Sequence, residues 1–400
     1  MSKTIKLVFI TTMTLALIFG FLHLFTDGSN LNFERLHIFM FNLCTGGSIL
    51  IYYTENKESI TTTTITFLIF SVIYALMAFF EYYIPAMIIS LILSGIVESV
   101  RVRAFSFFPS GFFNSKEPVN KKFHQAALLC LSIGLVVSCA VILNNKYIHI
   151  VELRKLKLDT FFLGFSFPVS LITMSVIFSM MKDNSAPVIK GLKEFGFWSI
   201  NLGVIIFFLF IIFEMLVPQV FVTLILFLTV IIISGLYQRL GDSLQQKAFL
   251  ISGLGFLLVT AVTGIVYILF EFLPGYTSEN LKWLLRLHSF AALYGWNLCG
   301  LAVICRYNDF PIKLHSGKLI ILHWFVVIFL APLGNYYKIF AILAVAGYIV
   351  VLYFIFFSRV KQILNIGLEL WILILRLKIQ PAKRKLVCVM LFEFLIRRVL

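Results

Sequence analysis

Twelve apolar runs, separated by charged or Pro/Gly breaks, occupy most of this 400-residue chain. They lie near residues 5-25, 34-54, 60-82, 84-102, 123-143, 160-181, 196-216, 219-237, 248-273, 283-305, 319-334 and 336-357, the eleventh being short. About 18 to 20 apolar residues wound as a helix reach across the hydrocarbon of a bilayer, where every backbone N–H and C=O has to be satisfied internally. A chain that is 60% hydrophobic and 13% charged, with mean hydropathy +1.00, is therefore excluded from the water-soluble globular class. The reading is an all-α polytopic membrane protein with about twelve transmembrane helices. One membrane domain covers 1-358, and a basic amphipathic tail covers 359-400, with Pro381 dividing it and the inner membrane face as its expected place.

The formal net charge of +15 does not argue for a nucleic-acid partner. Lys and Arg collect at span ends and in the tail, as positive-inside bias and anionic lipid would have them. With the N-terminus inside, 25 of the 33 basic residues fall on the inner side. The expected location is a bacterial inner membrane with both termini cytoplasmic. The dissenting loop is 144-159, which puts Lys146, Arg154, Lys155 and Lys157 outside. Ile5 to Leu22 follows Lys3 like a signal peptide but lacks a small-residue cleavage site, so it is taken as the first span. The six cysteines form no C-x-x-C pair and read as small buried residues. No nucleophile elbow, phosphate loop or H-E-x-x-H is present.

Two spans open alike. Arg35-Leu36-His37-Ile38-Phe39 begins the second and Arg286-Leu287-His288-Ser289-Phe290 the tenth; Asn42-Leu43-Cys44 and Asn297-Leu298-Cys299 follow. At about 100° per residue each cysteine returns to within roughly 20° of its histidine's face, while the asparagines point elsewhere. The topology starts both spans on the outer side, so the histidines enter at similar depth, roughly 5 to 8 Å. Histidine inside a span is costly without a partner, and the matched pair reads as facing imidazoles, the ligand set of a heme iron. The second-shell acceptors such rings need have to come from another span or from a backbone carbonyl.

Leu36-His37-x8-Gly46-Gly47 resembles the second helix of subunit I in heme-copper oxidases of the cbb type and their nitric oxide reductase relatives. His288-Ser289, followed by Gly295-Trp296-Asn297, resembles the family's tenth helix, whose His-x-His pair serves the low-spin and high-spin hemes. The resemblance implies a heme-copper oxidase subunit I-like bundle in which His37 and His288 ligate one low-spin heme b. Arg286 stands where the first histidine of the pair belongs. Spans six and seven contain no histidine, so no copper site and no oxygen reduction are expected. Arg35 and Arg286 would meet heme propionates, and Trp296 would pack on the porphyrin. The implied function is electron transfer, or handling of heme or a diatomic gas, with an electron donor or partner membrane subunits beside the lipid bilayer. The NnrS membrane family is a second possible relative.

Other features are weaker. His124 and His323, at the inner ends of spans five and eleven, could form a second site with His315 in the adjoining inner loop; His23 lies near the outer site, and His149 in the basic loop. Glu81, Glu98, Glu214 and Glu271 sit at span ends and read as paired or snorkelling carboxylates, Glu98 with Arg101 or Arg103. The alternatives to a heme protein are a cofactor-free multi-span transporter and a structural or assembly protein. A transporter of two six-span halves would repeat spans two and eight rather than two and ten.

Overall fold

The computed structural model describes residues 1–26, 32–55, 59–150, 162–182, 186–242, 246–273, 277, 281–306 and 316–358. The tail over 359-400, most of the 144-159 loop and His315 lie outside the described residues. Among the described residues, eleven helices are long and apolar enough to cross a membrane. They are α1 (Lys3–Leu24), α2 (Phe33–Glu55), α3 (Thr62–Phe79), α4 (Tyr83–Ala104), α5 (Val119–Ile148), α7 (Pro187–Ile212), α8 (Leu216–Leu240), α9 (Gln246–Phe270), α10 (Lys282–Cys305), α11 (Gly317–Gly334) and α12 (Lys338–Phe357). A shorter apolar helix, α6 (Gly164–Ser179), supplies the twelfth. The protein is an all-α polytopic membrane protein, as its hydropathy requires.

Local chemistry sets the helix starts. The Asn32 side chain accepts from Arg35 N at 2.9 Å to cap α2, and Thr61 Oγ1 accepts from Thr64 N at 3.1 Å to cap α3. Proline stands at or just before the first residue of α5 and α7, where its missing N–H costs nothing. Glu98 and Arg101 form the expected ion pair at 2.7 Å near the end of α4, and Arg101 also donates to the Ser106 and Phe107 carbonyls.

The spans with the lowest hydropathy are the most enclosed. Of the best apolar window, 94% is buried in α2 and 78% in α10, against 22% in α7 and 28% in α8. Polar groups that would be costly in lipid have gone to the centre. Helix α6 joins them there, with Leu171 to Phe178 buried without a break. Between helices in lipid there is little hydrophobic drive, so small residues and close van der Waals contact hold them. Gly46 of α2 lies against the Val169 side chain, and Gly300 of α10 against Thr173, so tightly that a Cβ at either glycine would clash with α6.

Features of the bundle recur at offsets of four and eight spans. The innermost helices are α2, α6 and α10. The α3–α4 and α7–α8 turns are also alike: Glu81 (φ 62°) and Glu214 (φ 55°) take the left-handed position after each helix. Tyr82 N then donates to Met77 O at 2.8 Å, and Met215 N to Phe210 O at 2.9 Å. These are the reach-back bonds of a Schellman ending, with glutamate where glycine is usual. Two of the four span-end carboxylates thus occupy equivalent turns. Offsets of four and eight, not six, do not favour a transporter built from two six-span halves.

Candidate functional site

Both repeated histidines are followed by wide turns with i→i+5 bonding, Phe39–Gly47 in α2 and Ala291–Asn297 in α10. Such π-helical stretches frequently mark functional positions. Each histidine docks on the span before its own. His37 Nδ1 lies 2.9 Å from the Ala16 carbonyl of α1, and His288 Nδ1 lies 2.9 Å from the Thr260 carbonyl of α9. Four residues beyond each carbonyl is a glycine, Gly20 or Gly264, against which the ring rests. A Cβ at Gly20 would come within 2.8 Å of His37 Nδ1, and one at Gly264 within 3.4 Å of His288 Cε1. The two docking sites are one design used twice. Carbonyls only accept, so Nδ1 carries the proton in both rings and Nε2 keeps its lone pair. The His37 N–H is shared with the Tyr294 hydroxyl oxygen at 2.7 Å, and the Thr263 hydroxyl lies 3.3 Å from His288 Nδ1.

The rings do not face one another. His37 packs on Phe290 and Tyr294 of α10, with centroids 6.4 and 5.4 Å away. Phe290 is two residues beyond His288, about 200° around the helix, so the α10 backbone stands between the two imidazoles. Phe290 and Tyr294 fill the space beside His37, and the cavity there is about 30 Å³. A heme plate clamped between His37 and His288 does not fit this packing.

The other expected site residues divide among three places. Arg286 lines the small His37 cavity and forms an ion pair with Glu34 at 2.6 Å. Arg35 donates to Ala78 O at 3.4 Å and lines a separate cavity. Trp296 is buried, donates from Nε1 to Ser170 Oγ at 2.7 Å, and shares a cavity with His288. That cavity is about 180 Å³, bounded by α6, α7, α9 and α10, and mostly apolar; Ser170, Asn297 and Thr260 also reach it. No protein family profile, curated protein or solved structure matches this chain.

His124 and His323 have separate partners. His124 Nε2 meets Thr54 Oγ1 at 2.7 Å and stacks on Tyr53, while the wholly buried His323 meets Tyr294 O at 2.7 Å between Phe249 and Phe256. His23 ties the end of α1 to the Asn335 carbonyl at 3.3 Å. Among the described residues no cluster of three His, Cys, Asp or Glu side chains is placed to hold a metal ion.

Sequence reasoning missed the partners rather than the histidines. Tyr294, Thr260, Gly20 and Gly264 carry no motif that periodicity would single out. The repeated Asn-Leu-Cys was a usable signal: Asn297 Nδ2 lies 3.4 Å from Asn42 Oδ1, joining the two inner spans where both residues are buried.

Proposed function

We propose that this chain is a membrane-embedded binding protein for a small lipid-soluble molecule, a single hydroxyl-bearing ring of the phenol or quinol class, held beside His288. The observation that carries this is the Nδ1 bond to Thr260 O at 2.9 Å, which fixes the tautomer and leaves Nε2 as an acceptor on a ring that lines the cavity. About 180 Å³ suits one aromatic ring, since an apolar cavity of ~150 Å³ takes benzene, and it is below the ~300 Å³ at which pockets for larger ligands begin. Trp296 and Phe167 supply aromatic wall, and Ser170 and Asn297 supply secondary polar contacts.

The test is thermal stability of the purified protein with a decyl-substituted hydroquinone and with its dimethyl ether, which has no donor. The hydroquinone should stabilise the protein and the ether should not, and His288→Phe should erase the difference. Equal responses to both compounds in the unsubstituted protein would remove the reading.

A second reading keeps the resemblance to heme-copper oxidase subunit I and a heme b used for electron transfer. It is favoured by the same feature in both rings: Nδ1 on a carbonyl and Nε2 with a free lone pair, as axial ligation needs. In this geometry Phe290, and not His288, is packed against His37 from α10. No imidazole of α10 then stands opposite His37. A six-coordinate heme would require α10 to turn by about half a revolution against α2, displacing Phe290 and Tyr294.

A further inference from the structure

We propose that the cavity where α2 begins, α3 ends, α4 begins and α5 ends is a binding site for an amphiphile with an anionic head and an apolar chain. The cavity is about 130 Å³ and is separate from the one beside His288. Two cations line it, Arg35 from α2 and Lys146 from the last turn of α5. They are held there: Lys146 Nζ sits 4.4 Å over the Tyr83 ring, and the Arg35 guanidinium reaches the carbonyl of Ala78 at the end of α3. Glu81, in its left-handed turn, is the one carboxylate among the lining residues, so the lining remains net positive.

The wall below the cations changes character. Phe39, Ala78, Val141 and Ile142 make it apolar, and the buried Tyr74 hydroxyl and Ser138, 2.5 Å apart, form the deepest polar point. A cationic rim over an apolar throat at a span boundary matches a molecule whose charge stays at the interface while its chain enters the bilayer. A hydrophilic anion would gain the rim and lose the throat. A neutral lipid would gain the throat and lose the rim.

The experiment measures binding to the purified full-length chain by native mass spectrometry. The probes are dioleoyl phosphatidylglycerol, dioleoyl phosphatidylcholine, oleate and inorganic phosphate. Phosphatidylglycerol or oleate should bind in preference to phosphatidylcholine and to phosphate; preference for the first identifies a membrane lipid as the source, and for the second a free fatty acid. Lys146→Gln should weaken that binding about fivefold. Ala78→Leu, which fills the throat and leaves both cations, should abolish it. Lys338→Gln is the control, because Lys338 also sits over an aromatic ring, that of Phe25 at 5.5 Å, but lines none of these cavities. Binding that survives Ala78→Leu, falls equally with Lys338→Gln, or is matched by inorganic phosphate would overturn the proposal.

Discussion

Phe290 lies edge-on to the His37 ring, with centroids 6.4 Å apart and planes inclined at 75°. That contact decides how the two repeated motifs are used. Helix α10 shows α2 an aromatic ring and turns its own imidazole to α9, so each histidine fastens its span to the one before it. The Arg-Leu-His repeat therefore marks two equivalent pairs of spans, α1 with α2 and α9 with α10.

The two glycines under the rings should respond differently to alanine. At Gly20 the added methyl meets His37 Nδ1 at 2.8 Å, so Gly20→Ala should destabilise by about 1–3 kcal/mol through overpacking. At Gly264 the nearest ring atom is 3.4 Å away, and Gly264→Ala should be neutral or gain up to about 1 kcal/mol of helix propensity. Unfolding of the detergent-solubilised variants checks both. In the Gly20→Ala, His37→Ala double variant, much of the clash cost should vanish, a non-additivity that contacting residues show.

Tyr294→Phe removes a hydroxyl 2.7 Å from His37 while the ring keeps its contacts with Phe41 and Tyr348. The expected loss is about 0.6–1.7 kcal/mol, the range for polar contacts between membrane helices. In a His37→Phe background the same change should cost clearly less, and equal costs in the two backgrounds would show that the hydroxyl does not act through His37.

The Asn42–Asn297 contact is a buried polar link between the two inner spans. Asn297→Ala leaves the buried Asn42 Oδ1 without its donor and should cost about 1–3 kcal/mol. Replacing both with leucine should recover much of that loss, because no polar group is then left without a partner. The comparison is again equilibrium unfolding, and a double variant as unstable as the two single losses combined would refute the pairing.

The Arg286–Glu34 ion pair joins the same two spans at 2.6 Å but is partly open to solvent, with side chains 27% and 60% exposed. Glu34→Gln should change stability by less than about 1 kcal/mol, and the difference should disappear in about 1 M salt. A large, salt-insensitive loss would mean that the pair is better enclosed than its exposure indicates.

The spans were legible because hydropathy reports directly on what a bilayer tolerates; the recurrence at four and eight spans was only half visible, through the motifs in spans two and ten. The facing of the histidines was not legible, for two reasons. Rotation at about 100° per residue relates His37 to residues of its own helix and says nothing of which neighbour that face meets. The wide turns at Phe39–Gly47 and Ala291–Asn297 also break that arithmetic, so the alignment of His37 with Cys44 was not a safe guide. The sequence did lead to the requirement for a backbone carbonyl or another span behind each ring, and Ala16 and Thr260 meet it.

The arrangement of the two histidines is tested most directly by the reduced-minus-oxidised absorption spectrum of the protein purified from heme-replete cells, alongside His37→Ala and His288→Ala. Imidazoles docked on α1 and α9, with Phe290 between His37 and the far face of α10, predict no bis-imidazole heme signal in any of the three. A sharp α-band in the unsubstituted protein that is lost in both variants would contradict that arrangement, because it requires the two rings to meet across one iron.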